Sequence, residues 1–234
     1  MPVPQSEGTL LLVGASRGLG YAMAKEFLQH GWRVVGTVRG GARTRLHELS
    51  AKSAGRIEIE VLDITLPDQI GALRSRLAAR NFDMLFVNAG ITNNPQETIG
   101  EVSTEEFVRV MVTNALGPMR VVEALHDLVA TDGTLGVMSS GQGSVSNNAN
   151  GKREVYRASK AALNMLMRSF AARHLADRRA MVLMAPGWVR TDMGGPDAPL
   201  SIEESVPSVV STLLAARGTP GLRYLDYLGR TVPW

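Results

Sequence analysis

The amino-acid sequence of 234 residues contains no cysteine, which excludes disulfide bonds and thiolate catalysis. It also lacks a segment of about 18 unbroken apolar residues, the length that predicts a membrane-spanning helix. The N-terminus does not combine a basic start, an apolar run and a small-residue cleavage site, which together would predict a signal peptide. We therefore expect a cytoplasmic protein that does not associate with a membrane.

Patterns typical of metal ions and nucleic acids are missing as well. The four histidines (His30, His47, His126 and His174) do not have the spacing of metal ligands, so we expect no metal site. The net charge is +3, but the basic residues are scattered, so we expect no nucleic-acid partner. The length and the 44% hydrophobic content instead predict one globular domain spanning residues 1–234.

The first apolar segment, residues 9–13, predicts a buried strand, and a glycine-rich turn follows it directly. The turn leads into a helical pattern that ends near Gly31. Strand, glycine turn and helix in this order are typical of a loop that binds a dinucleotide pyrophosphate at the helix N-terminus, although a plain tight turn is the alternative. The residues of the predicted loop are Gly14, Ser16, Arg17, Gly18, Leu19 and Gly20.

The second predicted strand, residues 32–38, is followed by Arg39. NAD-binding folds usually carry Asp or Glu near this point to hold the ribose 2′-hydroxyl, whereas an arginine accommodates the 2′-phosphate of NADP. Arg17 and Arg39 could both face that phosphate, or both could be solvated surface residues. The missing carboxylate favours NADP(H) over NAD(H) as the cofactor.

Strands and helices alternate along the rest of the sequence. Further strands are predicted at residues 57–62, 84–87, 134–138, 180–185 and 222–228. Helices are predicted at residues 67–80, from a capping box at Ser103 towards Val129 with an interruption at Gly117 and Pro118, from Tyr156 to Leu175, and from a second capping box at Ser201. This order predicts an α/β fold, a single Rossmann-like domain with a doubly wound, mostly parallel sheet and helices on both faces.

Most of the predicted strands are followed by a polar or glycine-containing turn. Ligands of such sheets bind beyond the carboxyl ends of the strands, so we expect these turns to form one site. The turns contain Gly14, Arg39, Asp63, Asn88, Ser140 and Pro186.

Tyr156 and Lys160 lie four residues apart in a helical sequence, so they share one face of the helix. A free phenol has a pKa of about 10, and a nearby cation favours its ionised form. A tyrosine tuned in this way can exchange a proton with an alcohol or ketone oxygen. Taken alone, the pair also fits an ordinary surface helix, and its place among the polar turns favours a catalytic role.

Together these motifs resemble the short-chain dehydrogenase/reductase family over essentially the whole chain. Within that family, residues 186–195 and the closing Pro233 and Trp234 look most similar to sniffer-type carbonyl reductases and C-factor-like proteins. The likeness implies cofactor contacts from the first loop, the strand ends and the tyrosine helix. These are Gly14, Ser16, Arg17, Gly18, Leu19, Gly20, Arg39, Asp63, Ile64, Asn88, Ala89, Gly90, Tyr156, Lys160, Pro186, Gly187, Val189 and Thr191.

The same likeness implies a catalytic tetrad of Asn114, Ser140, Tyr156 and Lys160. Tyr156 would protonate the substrate oxygen as hydride arrives, and Ser140 would hydrogen-bond that oxygen. Lys160 would hold the ribose hydroxyls of the cofactor and lower the pKa of Tyr156. Asn114 would hold a water that links Lys160 to solvent.

The sequence also departs from the family pattern. Val13 and Val87 stand where the family usually has Thr and Asn, so two hydrogen bonds that tie the cofactor loop to its neighbours are expected to be missing. The interval from Ser140 to Tyr156 is longer than usual. We expect the extra residues to form a bulging loop rather than to shift the active site.

Three serines compete for the place beside the substrate oxygen. Counting back from Tyr156 by the usual family spacing favours Ser144. Strand geometry favours Ser140, because neighbouring side chains alternate and Ser139 would then turn towards backbone. Ser144 lies in a polar loop, where a solvated serine is the default, and we predict Ser140.

The leading functional hypothesis is an oxidoreductase that transfers hydride between NADP(H) and a small-molecule carbonyl or alcohol substrate, an NADPH-dependent carbonyl reductase. The alternative is a cofactor-binding signalling or regulatory protein of the C-factor type on the same fold. The complete tetrad favours the enzyme. The helix from Tyr156 to Leu175 carries more apolar surface than one core face needs, which predicts a homo-oligomer, a dimer or tetramer, unless the helix is deeply buried.

Overall fold

The computed structural model describes residues 8–234, which contain one seven-stranded sheet. Its strands are β1 (Thr9–Val13), β2 (Arg33–Val38), β3 (Ile57–Val61), β4 (Phe82–Val87), β5 (Val129–Met138), β6 (Ala180–Ala185) and β7 (Gly221–Asp226). Their order in the sheet is β3-β2-β1-β4-β5-β6-β7. All pairs of neighbouring strands are parallel, so the sheet is parallel throughout.

Seven α-helices connect or follow the strands in the described part of the chain. They are α1 (Gly18–Gln29), α2 (Arg45–Ala51), α3 (Pro67–Leu77), α4 (Thr104–Met111), α5 (Gly117–Leu125), α6 (Glu154–Arg173) and α7 (Ile202–Ala216). A π-helical segment, Val112–Leu116, joins α4 to α5. Between residues 8 and 234, no helix combines the length and the apolar character needed to cross a bilayer.

Alternating side chains of the central strand β1 fill two separate cores. Leu10 and Leu12 pack in a core with residues of α1 and α7, whereas Leu11 and Val13 pack in a core with residues of α3, α5 and α6. Each of the four is at most 1% exposed, and burying one such side chain stabilises the fold by about 1.5–3 kcal/mol. The apolar run is continuous because both faces of the strand are covered, which confirms the predicted doubly wound α/β fold.

The order of the strands reverses at the centre of the sheet, between β1 and β4. The chain adds β2 and β3 on one side of β1, and it adds β4 to β7 on the other side. Ligand-binding crevices in such sheets lie where the strand order reverses, beyond the carboxyl ends of the strands. The turns after β1 and β4 meet at this point, where Asn88 N donates to Val13 O at 2.8 Å.

Helix α2 was not predicted from the sequence. Thr44 is its N-cap, and the reciprocal cap comes from the ring of His47, whose Nδ1 lies 3.1 Å from Thr44 N. A histidine at this position does not give the usual sequence signature of a capping box, which has Glu or Gln there. Leu46 is the only buried residue of the helix, so no apolar stripe marks the segment either.

The predicted helix after Ser103 was partly wrong. Ser103 accepts a hydrogen bond from Glu106 N, but the Glu106 carboxylate pairs with Arg109, so the capping box is only half formed. The helix changes to π geometry before Gly117, and α5 then begins with Pro118 in its first turn, where the missing N–H is tolerated. The capping box at the start of α7 is complete, as predicted.

Candidate active site

The turn after β1 is packed so closely that two of its positions require glycine. Gly14 has a left-handed φ of +89°, and a Cβ there would lie 2.8 Å from Ala89 N. A Cβ on Gly20 would lie 2.0 Å from the carbonyl oxygen of Gly14. Around Gly18, in contrast, no atom lies within 4 Å of the corresponding Cβ position apart from its chain neighbours and the backbone of its own helix. Gly14 and Gly20 therefore close the turn, and Gly18 leaves open space beside it.

Two side chains tie this turn to the neighbouring strands. Gly14 N donates to Thr37 Oγ1 at 3.0 Å, and Asn88 Nδ2 donates to Gly14 O at 2.7 Å. These contacts come from the end of β2 and from the residue after β4. The turn is therefore anchored despite the departures from the family pattern at Val13 and Val87.

The N-terminus of α1 begins within this turn and has no side-chain cap. Its N-cap residue, Arg17, makes no capping hydrogen bond with its side chain, and no acidic residue lies in the first turn. The first N–H groups and the positive end of the helix dipole are therefore available to an anion. This terminus and the open space at Gly18 fit the pyrophosphate of a dinucleotide.

A cavity of about 800 Å³ extends from the glycine turn across the neighbouring strand ends. The predicted cofactor residues that line it are Gly14, Ser16, Arg17, Gly18, Leu19, Arg39, Asp63, Ile64, Asn88, Ala89, Gly90 and Thr191. Gly20 does not line this cavity, because it is buried beneath the turn. Arg45 lines it as well, and this residue was not predicted because α2, which it begins, was not predicted.

Three of the four arginines that line the first cavity differ in their surroundings. Arg17 forms an ion pair with Asp192, from the loop after β6, at 2.7 Å. Both side chains are highly exposed, and such a pair contributes at most about 1 kcal/mol, so Arg17 can turn to a phosphate at little cost. The guanidinium of Arg45 lies 4.5 Å from the centre of the Tyr21 ring. The positive charge of Arg39 lowers the pKa of the Asp63 carboxyl group.

Asp63 follows β3 closely and is held by Thr65. Its Oδ1 accepts hydrogen bonds from Thr65 N at 2.9 Å and from Thr65 Oγ1 at 2.6 Å. Burial would raise the pKa of Asp63, but these hydrogen bonds and the charge of Arg39 hold the pKa below its ordinary value. The carboxylate is therefore ionised at neutral pH and is a fixed acceptor at the cavity wall.

A second cavity, of about 440 Å³, adjoins the first. Leu19, Thr191 and Met193 line both cavities. The predicted site residues around the second cavity are Leu19, Ser140, Tyr156, Lys160, Pro186, Gly187, Val189 and Thr191. The fold therefore brings three of the four predicted catalytic residues to one cavity, next to the cavity of the glycine turn.

Tyr156 lies in the first turn of α6 and is 8% exposed. Burial raises the pKa of Tyr156 above its ordinary value, although the Ser140 side chain and the charge of Arg153 act in the opposite direction. Lys160 Nζ lies 5.9 Å from the centre of the Tyr156 ring. Desolvation of the phenolate is the largest influence on this pKa, and a lowering of the pKa of Tyr156 by Lys160 stays a prediction.

Lys160 lies one helical turn after Tyr156 and is 3% exposed. Its Nζ donates a hydrogen bond to the carbonyl oxygen of Met138, at the end of β5, at 2.8 Å. Burial disfavours the ammonium form and lowers the pKa of Lys160 from 10.5 to about 8. The amine is therefore mostly charged at neutral pH, with further N–H groups that can reach a ligand.

The lowered pKa of Lys160 predicts a pH dependence of stability. Between about pH 8 and pH 10.5, the unfolded chain holds a proton on this lysine that the folded chain has lost, so this residue makes the folded state more stable as the pH rises. Lys160→Met should remove that rise. Urea unfolding of both proteins at roughly pH 8 and pH 10 measures it. Parallel pH profiles would contradict a buried, desolvated ammonium.

Asn114 lies in the π-helical segment and is fully buried. Its Oδ1 accepts from Ile91 N at 2.8 Å, and its Nδ2 donates to Ile91 O at 2.8 Å and to Ser159 Oγ at 3.0 Å. Asn114 is not among the residues that line the two cavities. The side chains of Asn114 and Lys160 lie on the same side of Gly90. A Cβ built on Gly90 would lie 3.3 Å from Asn114 Oδ1 and 3.5 Å from Lys160 Nζ. Such π segments are frequent at functional sites.

Ser140 is the candidate serine that lies beside Tyr156. Its side chain interacts with the Tyr156 hydroxyl and favours the phenolate. Its Oγ accepts a hydrogen bond from Gln142 N at 3.1 Å, and its main-chain oxygen accepts one from the Tyr224 hydroxyl. Ser140 is therefore fixed in position while it remains partly exposed to the second cavity.

The other two candidate serines are buried and their hydroxyls have other hydrogen-bond partners, although Ser139 also lines the second cavity. Ser139 Oγ donates to Asn164 Oδ1 at 2.6 Å, so its partner is a side chain rather than the expected backbone. Ser144 is 1% exposed, and its Oγ donates to the main-chain oxygen of Trp234 at 3.2 Å. The expectation that Ser144 is solvated was therefore wrong. Residues 145–151, which follow it, are all exposed, and the bulging loop stays a prediction.

Several residues of the second cavity were not predicted individually from the sequence. They include Arg153, Trp188 and Tyr227. These residues lie in loops and turns, which lack the periodicity that marks a helix or a strand. Arg153 had one usable signal, since it stands about one helical turn before Tyr156.

In the part of the chain that is described, no group of three or more His, Asp or Glu side chains is arranged to hold a metal ion.

The fold and the two cavities define a Rossmann-like α/β domain whose glycine turn fits a dinucleotide and which carries a buried tyrosine–lysine pair. A model of the short chain dehydrogenase family matches residues 8–199. The match spans β1 to β6 and most of the residues that line the two cavities. The chain therefore belongs to the short-chain dehydrogenase family.

Known proteins place the chain within this family. A Burkholderia multivorans protein described as a short-chain dehydrogenase/reductase, solved with bound NADP, is 66% identical, with a TM-score of 0.95 over 97% of this chain and 99% of that chain. The carbonyl reductase Sniffer of D. melanogaster is 27% identical, with a TM-score of 0.86 over 98% and 100% of the two chains. C-signal of Myxococcus xanthus is 37% identical over 154 residues, 65% of this chain and 92% of that protein. These matches confirm the resemblance to sniffer-type carbonyl reductases and C-factor-like proteins.

Proposed function

We propose that the protein is an NADPH-dependent carbonyl reductase that acts on a small-molecule aldehyde or ketone. The observation that carries the proposal is that Ser140, Tyr156 and Lys160 line one cavity, which adjoins the cavity of the glycine turn. The NADP bound to the Burkholderia protein and the carbonyl reductase activity named for Sniffer support it.

The first cavity would hold the cofactor, whose nicotinamide supplies the hydride when bound. The glycine turn and the N-terminus of α1 would bind the pyrophosphate, and Asp63 would contact the adenine. Lys160 Nζ would hold the ribose hydroxyls. We also propose that Asn114 holds a water that connects Lys160 to solvent, since the two side chains approach each other at Gly90.

The chain's own residues would act on the substrate oxygen. Ser140 Oγ would donate a hydrogen bond to the carbonyl oxygen, and Tyr156 would transfer its hydroxyl proton to that oxygen as it becomes negative. The carbonyl thereby gains a hydride and a proton and becomes an alcohol. The raised pKa of Tyr156 keeps the phenol protonated at neutral pH, which suits this direction. Ser140 and Arg153 would stabilise the phenolate left behind.

NADPH should bind at least about tenfold more tightly than NADH. A charge-assisted contact to the 2′-phosphate is worth about 1.5–3 kcal/mol, and about 1.4 kcal/mol corresponds to a factor of ten. Arg39 and Arg45 line the first cavity, and no acidic residue lies between them in the sequence. Calorimetric titration of both cofactors measures the ratio, which should fall in Arg39→Gln.

The matched control is Arg178→Gln, which removes an exposed arginine beyond the far end of α6. It should leave the ratio of the two affinities unchanged. Equal affinities of the wild-type protein for NADPH and NADH would remove the case for Arg39 and Arg45 as phosphate ligands.

We further propose that the protein forms a homo-oligomer through α6. Met165 and Leu166 of this helix are 63% and 41% exposed, and Val108 of the neighbouring α4 is 50% exposed. A second copy of the chain would cover this apolar surface.

A cofactor-binding regulatory protein is the second candidate, favoured by the likeness to C-signal. A panel of aldehydes, ketones and diketones, followed by the loss of NADPH absorbance, distinguishes the two functions. Turnover of members of the panel supports the reductase. Binding of NADPH without turnover of any member would favour the regulatory protein.

A further inference from the structure

Three consecutive residues before α6 have left-handed backbone conformations. The φ angles of Gly151, Lys152 and Arg153 are 64°, 43° and 54°. For a residue other than glycine this conformation is uncommon and unfavourable, so the surrounding structure must impose it. Arg153 N donates to Pro95 O at 3.3 Å, and Arg157 Nε donates to Lys152 O at 2.9 Å. The resulting turn places Arg153 at the second cavity.

The charged side chains around this cavity are Arg153, Lys160, Asp226 and Arg230, so positive charge is in excess. Lys160 donates to the carbonyl oxygen of Met138, and Arg230 is paired with Asp226 at 2.7 Å. The Arg153 guanidinium, by contrast, has no hydrogen bond or ion pair with another group of residues 8–234. Among the described residues, Arg153 is therefore the cation of this cavity whose side chain makes no hydrogen bond or ion pair, so all of its N–H donors are open to a ligand.

Arg153 is also close to the reacting position. It stands about one helical turn before Tyr156 and is partly buried. Its charge is near enough to the Tyr156 hydroxyl to favour the phenolate. Trp188, Met193 and Tyr227 supply apolar and aromatic surface to the same cavity. The cavity thus combines a cation beside the proton donor with apolar walls for the body of a small molecule.

We propose that this site takes carbonyl substrates that carry a carboxylate, which Arg153 binds while the carbonyl faces Tyr156 and Ser140. This inference rests on the proposed reductase function and names its substrate class. A guanidinium presents several N–H donors in one plane and matches the two oxygens of a carboxylate, so Arg153 selects for charge as well as position. A neutral carbonyl compound of the same shape fills the cavity but leaves Arg153 without its partner.

A matched pair of aldehydes tests the proposal, 4-formylbenzoate and 4-formylbenzamide, which have nearly the same shape and differ in charge. In the wild-type protein, kcat/KM with NADPH should be at least about tenfold higher for the carboxylate. Arg153→Gln should bring the two values together, and Arg153→Lys should keep part of the preference. The ratio is the readout, because any effect of Arg153 on Tyr156 changes both substrates alike. Arg178→Gln, with the same change in net charge, should leave the ratio unchanged.

A binding measurement separates failure of this inference from failure of the proposed function. Calorimetric titration of both compounds in the presence of NADP⁺ requires no turnover. Preferential binding of the carboxylate that Arg153→Gln abolishes supports the inference even if neither aldehyde is reduced, in which case the reductase proposal loses support. Equal kcat/KM values for both aldehydes overturn the inference and leave the reductase standing. Equal binding of both compounds, or a preference that persists in Arg153→Gln, also overturns it.

Discussion

Replacing the Tyr156 hydroxyl with hydrogen, in Tyr156→Phe, should lower kcat by about 10²–10⁴-fold, the usual contribution of a positioned proton donor. The aromatic ring stays in its buried site, so the fold and the affinity for NADPH should change little. Steady-state turnover of a substrate from the carbonyl panel, together with calorimetric titration of NADPH, measures both quantities.

Tyr21→Phe is the matched control for this substitution. It removes a hydroxyl from a tyrosine whose ring packs under Arg45, outside the second cavity, and it should leave kcat near the wild-type value. If Tyr156→Phe instead kept a comparable rate, the assignment of Tyr156 as the proton donor would be wrong.

The second large effect is expected at Ser140. Removing one hydrogen-bond donor to a reacting oxygen typically lowers turnover by about 10²–10³-fold, so Ser140→Ala should show a loss of that order. Ser139→Ala and Ser144→Ala should keep kcat near the wild-type value. Because both hydroxyls are buried and hydrogen-bonded, each of these two variants should lose about 1 kcal/mol in the free energy of unfolding.

Comparing kcat and urea unfolding across the three serine variants distinguishes catalysis from stability. A large loss of kcat in Ser144→Ala, with little loss in Ser140→Ala, would show that the family spacing identifies the serine correctly and that strand geometry does not.

The sheet and the glycine turn could be predicted because their signals are local. The apolar run at residues 9–13 indicates burial on both faces of β1, and the glycine turn follows it directly in the sequence, although the contact that requires Gly14 is with Ala89 after β4. The convergence of the strand ends then follows from parallel topology alone. Each of these inferences needs only the order of elements along the chain.

Other features depend on contacts between distant parts of the chain. Ser144 is buried because the chain returns to it at Trp234, a contact that no local pattern contains. The pKa of Tyr156 is raised because the fold buries the phenol, an effect that outweighs the neighbouring charges. Arg45 could not be assigned to the cofactor cavity without α2, whose capping signal comes from His47.

Tracing the transferred hydride with deuterium is the most direct test of the proposed reductase. NADPH that carries two deuterium atoms at C4 of the nicotinamide is incubated with the protein and a carbonyl compound from the panel. We predict one deuterium on the former carbonyl carbon of the alcohol and one NADP⁺ formed per alcohol, measured by mass spectrometry and absorbance. Tight binding of NADPH without its consumption by any carbonyl compound, or oxidation of NADPH without deuterium in the alcohol, would contradict the proposal.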